Sequence, residues 1–222
     1  MDTARTSSLA AALSFVLVAA APRASVAAVV PCGLTIDMGA AVPLRWSEAA
    51  RQTFRREATR MWSSEGVRFC WSDQEPCPPS LPLLYVRVVG HVPVAPDVPP
   101  APTLGWMGFT ERDGPGPLIL LSEIWAAELL GRAERGARSL ASLPGMVRRL
   151  LPRALGRALA HELGHYLLGR REHSMNGVMR AAFRPEDLAD EGVGQRMGLS
   201  AGDRRALRAR CVEATTLVTR HP

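Results

Sequence analysis

Three of the chain's five histidines, His161, His165 and His173, fall within thirteen residues. His161 and His165 stand four apart, so on a helix they differ by about 40° around the axis and one turn along it. Both imidazoles then point the same way and can hold one ion between them. Zinc suits such a pair because it accepts imidazole nitrogens at about 2.0–2.1 Å in tetrahedral geometry. Glu162 follows His161 at about 100° round the helix, placed to reach a water on the ion without itself being a ligand. Zinc lowers the pKa of that water to near 7, and the carboxylate can take its proton and pass it to a departing amine. The segment His161-Glu162-Leu163-Gly164-His165 therefore reads as peptide hydrolysis at a single catalytic zinc, with Glu162 as the base.

Such a site needs a helix with one face in a core and the other in a cleft. Leu155, Leu159, Leu163 and Tyr166 lie roughly opposite the histidines and supply the core face. Pro152 suits the first turn of this helix, and Gly169 can take the left-handed conformation that ends it. A second amphipathic helix is predicted over 46–63, with Trp46, Ala50, Phe54, Ala58, Met61 and Trp62 at helical spacing. Strands are expected at Val67–Trp71, Leu83–Val89, Leu104–Thr110 and Leu118–Leu121. The last two flank a turn, Arg112-Asp113-Gly114-Pro115-Gly116. The proline-rich stretch Val92–Pro102 is expected to be a surface loop. A helix from Glu123 to Arg132 is capped by Ser122, and the last helix begins at Ser200, where Asp203 completes an approximate capping box. Between Gly169 and Met179 the chain reads as irregular. This order predicts an α+β domain that ends in a smaller helical part.

The run from His161 to His173, followed by Ser174-Met175-Asn176-Gly177-Val178-Met179, resembles the metzincins, the zinc-peptidase clan that includes the matrixins. Their pattern is HExxHxxGxxH with a methionine in a tight turn beneath the metal. The resemblance implies a zincin-like fold: a twisted mixed sheet, an active-site helix and a smaller helical C-terminal subdomain. It also implies that His161, His165 and His173 bind zinc, that Glu162 is the base and that Met179 makes the turn. Leu199-Ser200-Ala201-Gly202-Asp203 resembles the start of the last matrixin helix. The match departs in one way: Gly169 lies four residues after His165, and His173 four after Gly169, each one more than the pattern. Glu172 and Glu186 are the competing third ligands. Four residues span up to about 13 Å, so reach alone does not decide between His173 and Glu172. The strand at Leu104–Thr110 is, by the same analogy, an edge on which an extended peptide substrate could lie.

The rest of the chain bears on location and partners. Arg5 precedes an apolar stretch from Leu9 to Ala21, and small residues follow at Ser25, Ala27 and Ala28. That is the layout of a secretory signal peptide, placed at 1–28, ahead of a domain at 29–222. An uncleaved anchor and a lipid-bearing Cys32 are the alternatives. The apolar run falls short of the roughly 20 residues of a membrane span, and no stable span is expected after cleavage. A secreted or periplasmic location follows. The four cysteines, an even number, favour disulfides in an exported chain. Of three possible pairings, Cys70–Cys77 and Cys32–Cys211 are favoured: the first pair flanks a short turn, and the second would join the ends of the mature domain. Pro31-Cys32-Gly33 faintly resembles the latency switch of matrixins, but too little chain precedes it for a propeptide. The net charge is +6, and every basic residue is arginine, scattered without interleaved aromatics. No nucleic-acid partner is expected from that pattern. The expected partner is a peptide or protein substrate. The rival readings are an exported zinc-binding interaction protein without turnover and a metal-free structural domain.

Overall fold

In the computed structural model, the structure describes residues 33–39, 46–92, 103–110, 114–135, 143–192 and 197–218. They form five strands and five helices in the order β1 (Gly33–Asp37), α1 (Glu48–Ser63), β2 (Arg68–Trp71), β3 (Leu83–Val89), β4 (Gly105–Thr110), β5 (Gly114–Ser122), α2 (Glu123–Arg135), α3 (Leu143–Leu168), α4 (Pro185–Ala189) and α5 (Ala201–Val218). The expected signal peptide, Cys32, the stretch from 93 to 102 and residues 111–113 lie outside the described residues; of the turn expected at Arg112–Gly116, Gly114, Pro115 and Gly116 instead open β5, paired with β4.

The sheet has the order β2-β1-β3-β5-β4. Its first four strands are parallel, and β4 pairs antiparallel with β5 at the edge. The period-two pattern explains which face is covered. Leu34 and Ile36, Leu84 and Val86, and Ile119 and Leu121 are all fully buried. The alternate residues Leu83, Tyr85 and Leu118 are part exposed on the other face. Burying each such aliphatic chain contributes about 1.5–3 kcal/mol.

Helix α1 starts where Ser47 accepts a hydrogen bond from the Ala50 N–H at 3.3 Å. It buries Phe54, Ala58, Met61 and Trp62 against α3 and the sheet. The Trp62 indole is enclosed, and its Nε1–H donates to the carbonyl of Ala160 on α3 at 2.9 Å, which satisfies the one polar group that its burial would otherwise strand. Ser122 caps α2, accepting from the Trp125 N–H at 3.3 Å.

Helix α3 differs from the expectation in two respects. It begins at Leu143, so Pro152 sits inside it instead of in its first turn. Proline leaves the Arg148 carbonyl without its helical partner, on a turn where the Arg148 and Arg149 side chains are exposed. From Leu151 to His165 the helix is buried on almost every side. Its core contact is thus wider than the one face expected, while Ala158, His161, Glu162 and His165 line a cleft as expected. The sequence reading also missed β1 and the short α4. The C-terminal part is helical as expected, but Leu188, Met197, Leu199 and Leu207 join the same apolar cluster as the sheet. Among the described residues, no helix is long and apolar enough to cross a membrane.

Candidate metal centre

The last turns of α3 carry His161, Glu162 and His165, and the end of the helix fixes where His173 goes. Gly169 takes φ +63°. Its N–H donates to Tyr166 O at 3.2 Å, and the Arg170 N–H donates to His165 O at 3.2 Å. This pair of bonds is a Schellman ending, which turns the chain back along the helix. The return brings the His173 ring centroid within 5.1 Å of that of His161 and 5.0 Å of that of His165. One ring nitrogen from each histidine lies within 4.8 Å of the other two, and this group can hold a metal ion. Glu172 and Glu186 are exposed and outside the group. Of the competing third ligands, the fold brings His173 to the pair.

The ring orientations are held from behind. The His161 Nδ1 lies 2.7 Å from the Val178 carbonyl, and the His165 Nδ1 lies 2.8 Å from the Arg170 carbonyl. A carbonyl can only accept, so each Nδ1 carries the proton and each Nε2 presents a lone pair. Those two Nε2 atoms face one another at 3.1 Å. Two lone pairs at that distance repel unless a cation or a proton lies between them. Two nitrogens on one tetrahedral zinc would stand about 3.3 Å apart at ordinary bond lengths. The donor set therefore fits a cation of zinc's size and preference. Burial lowers the His161 pKa to about 4, with the charges of His165 and His173 adding to the shift and the Val178 carbonyl opposing it. Burial also lowers that of His165. Both rings are neutral near pH 7, the form that binds metal.

Glu162 is only 5 % exposed and, among the described residues, has no ion pair. Burial raises its pKa to about 8. Its carboxylate packs on the backbone of Gly105 in β4, where an added Cβ would lie 2.6 Å from Oε1. Glycine at 105 is thus what lets the edge strand approach Glu162. A second close approach lies under the histidines. A Cβ on Gly164 would collide with the Met179 sulfur and come within 2.9 Å of the Trp62 ring. Met179 is fully buried, in a turn closed by the Ser174 N–H donating to Met179 O at 2.7 Å. It lies against α3 one residue before His165.

A cleft of about 720 Å³ opens over this group. One wall is β4, with Trp106 43 % exposed, and the other is Ala181–Phe183. The Phe183 ring meets His161 edge-on at 5.4 Å, and Phe109 meets His165 at 6.2 Å. Arg171 ties the loop to the edge strand, donating from Nη2 to Phe109 O at 3.1 Å. Sequence reasoning missed Gly105, Phe109, Arg171 and Phe183. Arg171 lies in the histidine run at a position the pattern leaves open, Gly105 and Phe109 lie in the expected edge strand without a role of their own, and each acts through the fold.

The cysteines agree with expectation where they can be followed. Cys70 and Cys77 form a disulfide. Cys211 is also disulfide-bonded, and its expected partner, Cys32, lies outside the described residues. No family model matches the chain, and no curated protein or solved structure matches it significantly.

Proposed function

We propose that the chain is an exported zinc-dependent endopeptidase, an outlying relative of the metzincins, with His161, His165 and His173 as ligands and Glu162 as the base. The observation that carries this reading is the facing pair of Nε2 lone pairs, locked by two backbone carbonyls, with an unpaired buried carboxylate beside them. Three imidazoles with one coordination position left open are a donor set typical of catalytic zinc. When bound, zinc would supply a Lewis acid for the scissile carbonyl and lower the pKa of a water.

The chain's own residues do the rest. Glu162 holds and moves the proton, because it lies beside the histidines without belonging to their group. The positive charge of the ion would draw its carboxyl back down from the raised value that burial alone imposes. The edge strand β4 offers backbone groups along the cleft, so an extended peptide can lie on it as an added strand. A mixed sheet above a buried active-site helix, with Met179 beneath the histidines, supports the zincin-like architecture. The Cys70–Cys77 bond and the bonded Cys211 support export, since disulfides persist in oxidising compartments.

The test pairs metal analysis with digestion of a broad peptide library. Wild type should hold one zinc and cleave peptides. Glu162→Ala should hold the same zinc and lose about 10²- to 10⁴-fold in rate. Equal rates in the two would sink the mechanism. Zinc without cleavage in either protein would leave a zinc-binding interaction protein.

A further inference from the structure

We propose that Asp203, at the start of α5, is a positioning residue for two of the three metal-ligating histidines, an inference that rests on the zinc reading above. Its carboxylate is 1 % exposed. It accepts from Ser174 Oγ at 2.9 and 3.0 Å, from Ser200 Oγ at 2.6 Å, from the Ser200 N–H at 3.3 Å, and from Arg170 Nη2. Arg170 Nη2 also donates to Ser174 Oγ at 3.2 Å.

Capping α5 accounts for the Ser200 contacts alone. An exposed Asp at the same position would cap equally well. The other two donors come from the metal loop, more than twenty-five residues away in sequence. Arg170 is the residue whose carbonyl accepts from His165 Nδ1 and whose N–H donates to His165 O. Ser174 directly follows His173, and its N–H closes the turn onto Met179. One buried carboxylate therefore grips the loop at both ends, behind one ligand and beside another. Losing a group that orients a ligand from behind typically weakens metal binding by about 10- to 100-fold. The loop is one residue longer at each gap than the metzincin pattern, and this anchor is what holds the longer loop in register.

The experiment uses the full chain, zinc competition against a chelator, and the visible spectrum of the cobalt-loaded protein. Asp203→Asn should weaken zinc by about 10- to 100-fold and shift the cobalt bands. The double variant Arg170→Ala/Ser174→Ala should do the same, and Asp203→Asn should add less than about threefold on top of it. Arg204→Ala removes the 2.6 Å bond from α5 to Glu65 without touching the cluster, and should leave zinc affinity within about twofold. The inference is overturned if Asp203→Asn keeps wild-type affinity and spectrum, or if Arg204→Ala weakens zinc as much, since docking of α5 would then be the cause. Should Asp203→Asn fail to fold, wild-type affinity in the part-exposed Arg170 and Ser174 variants overturns it. Wild type that binds no zinc would remove the zinc reading itself, whereas wild-type binding with an indifferent Asp203 variant removes this inference alone.

Discussion

Two buried glutamates lie along α3, and their surroundings are opposite. Glu57, on α1, is 4 % exposed and faces three arginines. Arg157, fully buried on α3, donates to it at 3.0 Å and to the Asp187 carbonyl at 2.7 Å. Arg60 and Arg153 stand farther off, at 3.4 and 3.9 Å. Glu162, little more than one turn along α3 from Arg157, has no such cation among the described residues. A buried charge with its partners in place joins helices. A buried carboxyl without one is pushed toward its neutral form. The same helix thus has a structural segment and, on the function proposed above, a reactive segment, distinguished by where the arginines of the described residues are.

Removing the cationic or anionic member of the structural segment should have the largest effect on stability. Glu57→Gln should cost about 3–5 kcal/mol in denaturant unfolding, because it leaves Arg157 charged, enclosed and unpaired. A loss under about 1 kcal/mol would erase the contrast. Glu162→Gln should act in the other direction in chelator-treated protein. The Glu162 carboxyl has a folded pKa of about 8, above its ordinary 4.5. Its contribution to stability is therefore full below pH 4.5 and is lost as the pH rises through 8. Glu162→Gln should gain on wild type by up to about 1.4 kcal/mol per pH unit across that window. A constant difference between the two from pH 4.5 to 8 would show that burial does not hold the proton. The smallest effect should come from Arg60→Ala. Arg60 is 38 % exposed, and an exposed ion pair is worth about 0.2–1 kcal/mol. A loss as large as that of Glu57→Gln would mean that the number of arginines matters, not the enclosure of one.

The reactive segment was far more legible in the sequence than the structural one. His161, Glu162 and His165 are local: helical spacing alone brings them together. Met179 and His173 came from a resemblance, and the Schellman ending at Gly169 shows how the longer loop still brings His173 back. Glu57 and Arg157 are a hundred residues apart, and nothing in either neighbourhood marks them as partners. Gly105 had no signal either, since its role is defined by the carboxylate that packs on it. The strand β1, Gly-Leu-Thr-Ile-Asp, escaped because only Leu34 and Ile36 mark it, and its place is set by pairing with strands that come later in the chain. The start of α3 was misplaced because proline is a better marker of first turns than of helix interiors, and here tertiary burial of the following turns overrode it. The cap at Ser200 was read correctly, but the other two partners of Asp203 come from a distant loop.

The position of β1 has a consequence for how the chain must fold. It is the first strand among the described residues yet lies inside the sheet, where Thr35 pairs with Cys70 on one side and Leu83 on the other. One side closes only after α1 and β2 exist, and the other only after β3 as well. Assembly is therefore dominated by contacts distant in sequence, the topology of slow two-state folders. Leu34 and Ile36 are buried in one cluster with residues of α1 and α3, so in a newly made chain that face stays exposed to aggregation until the helices have packed on it.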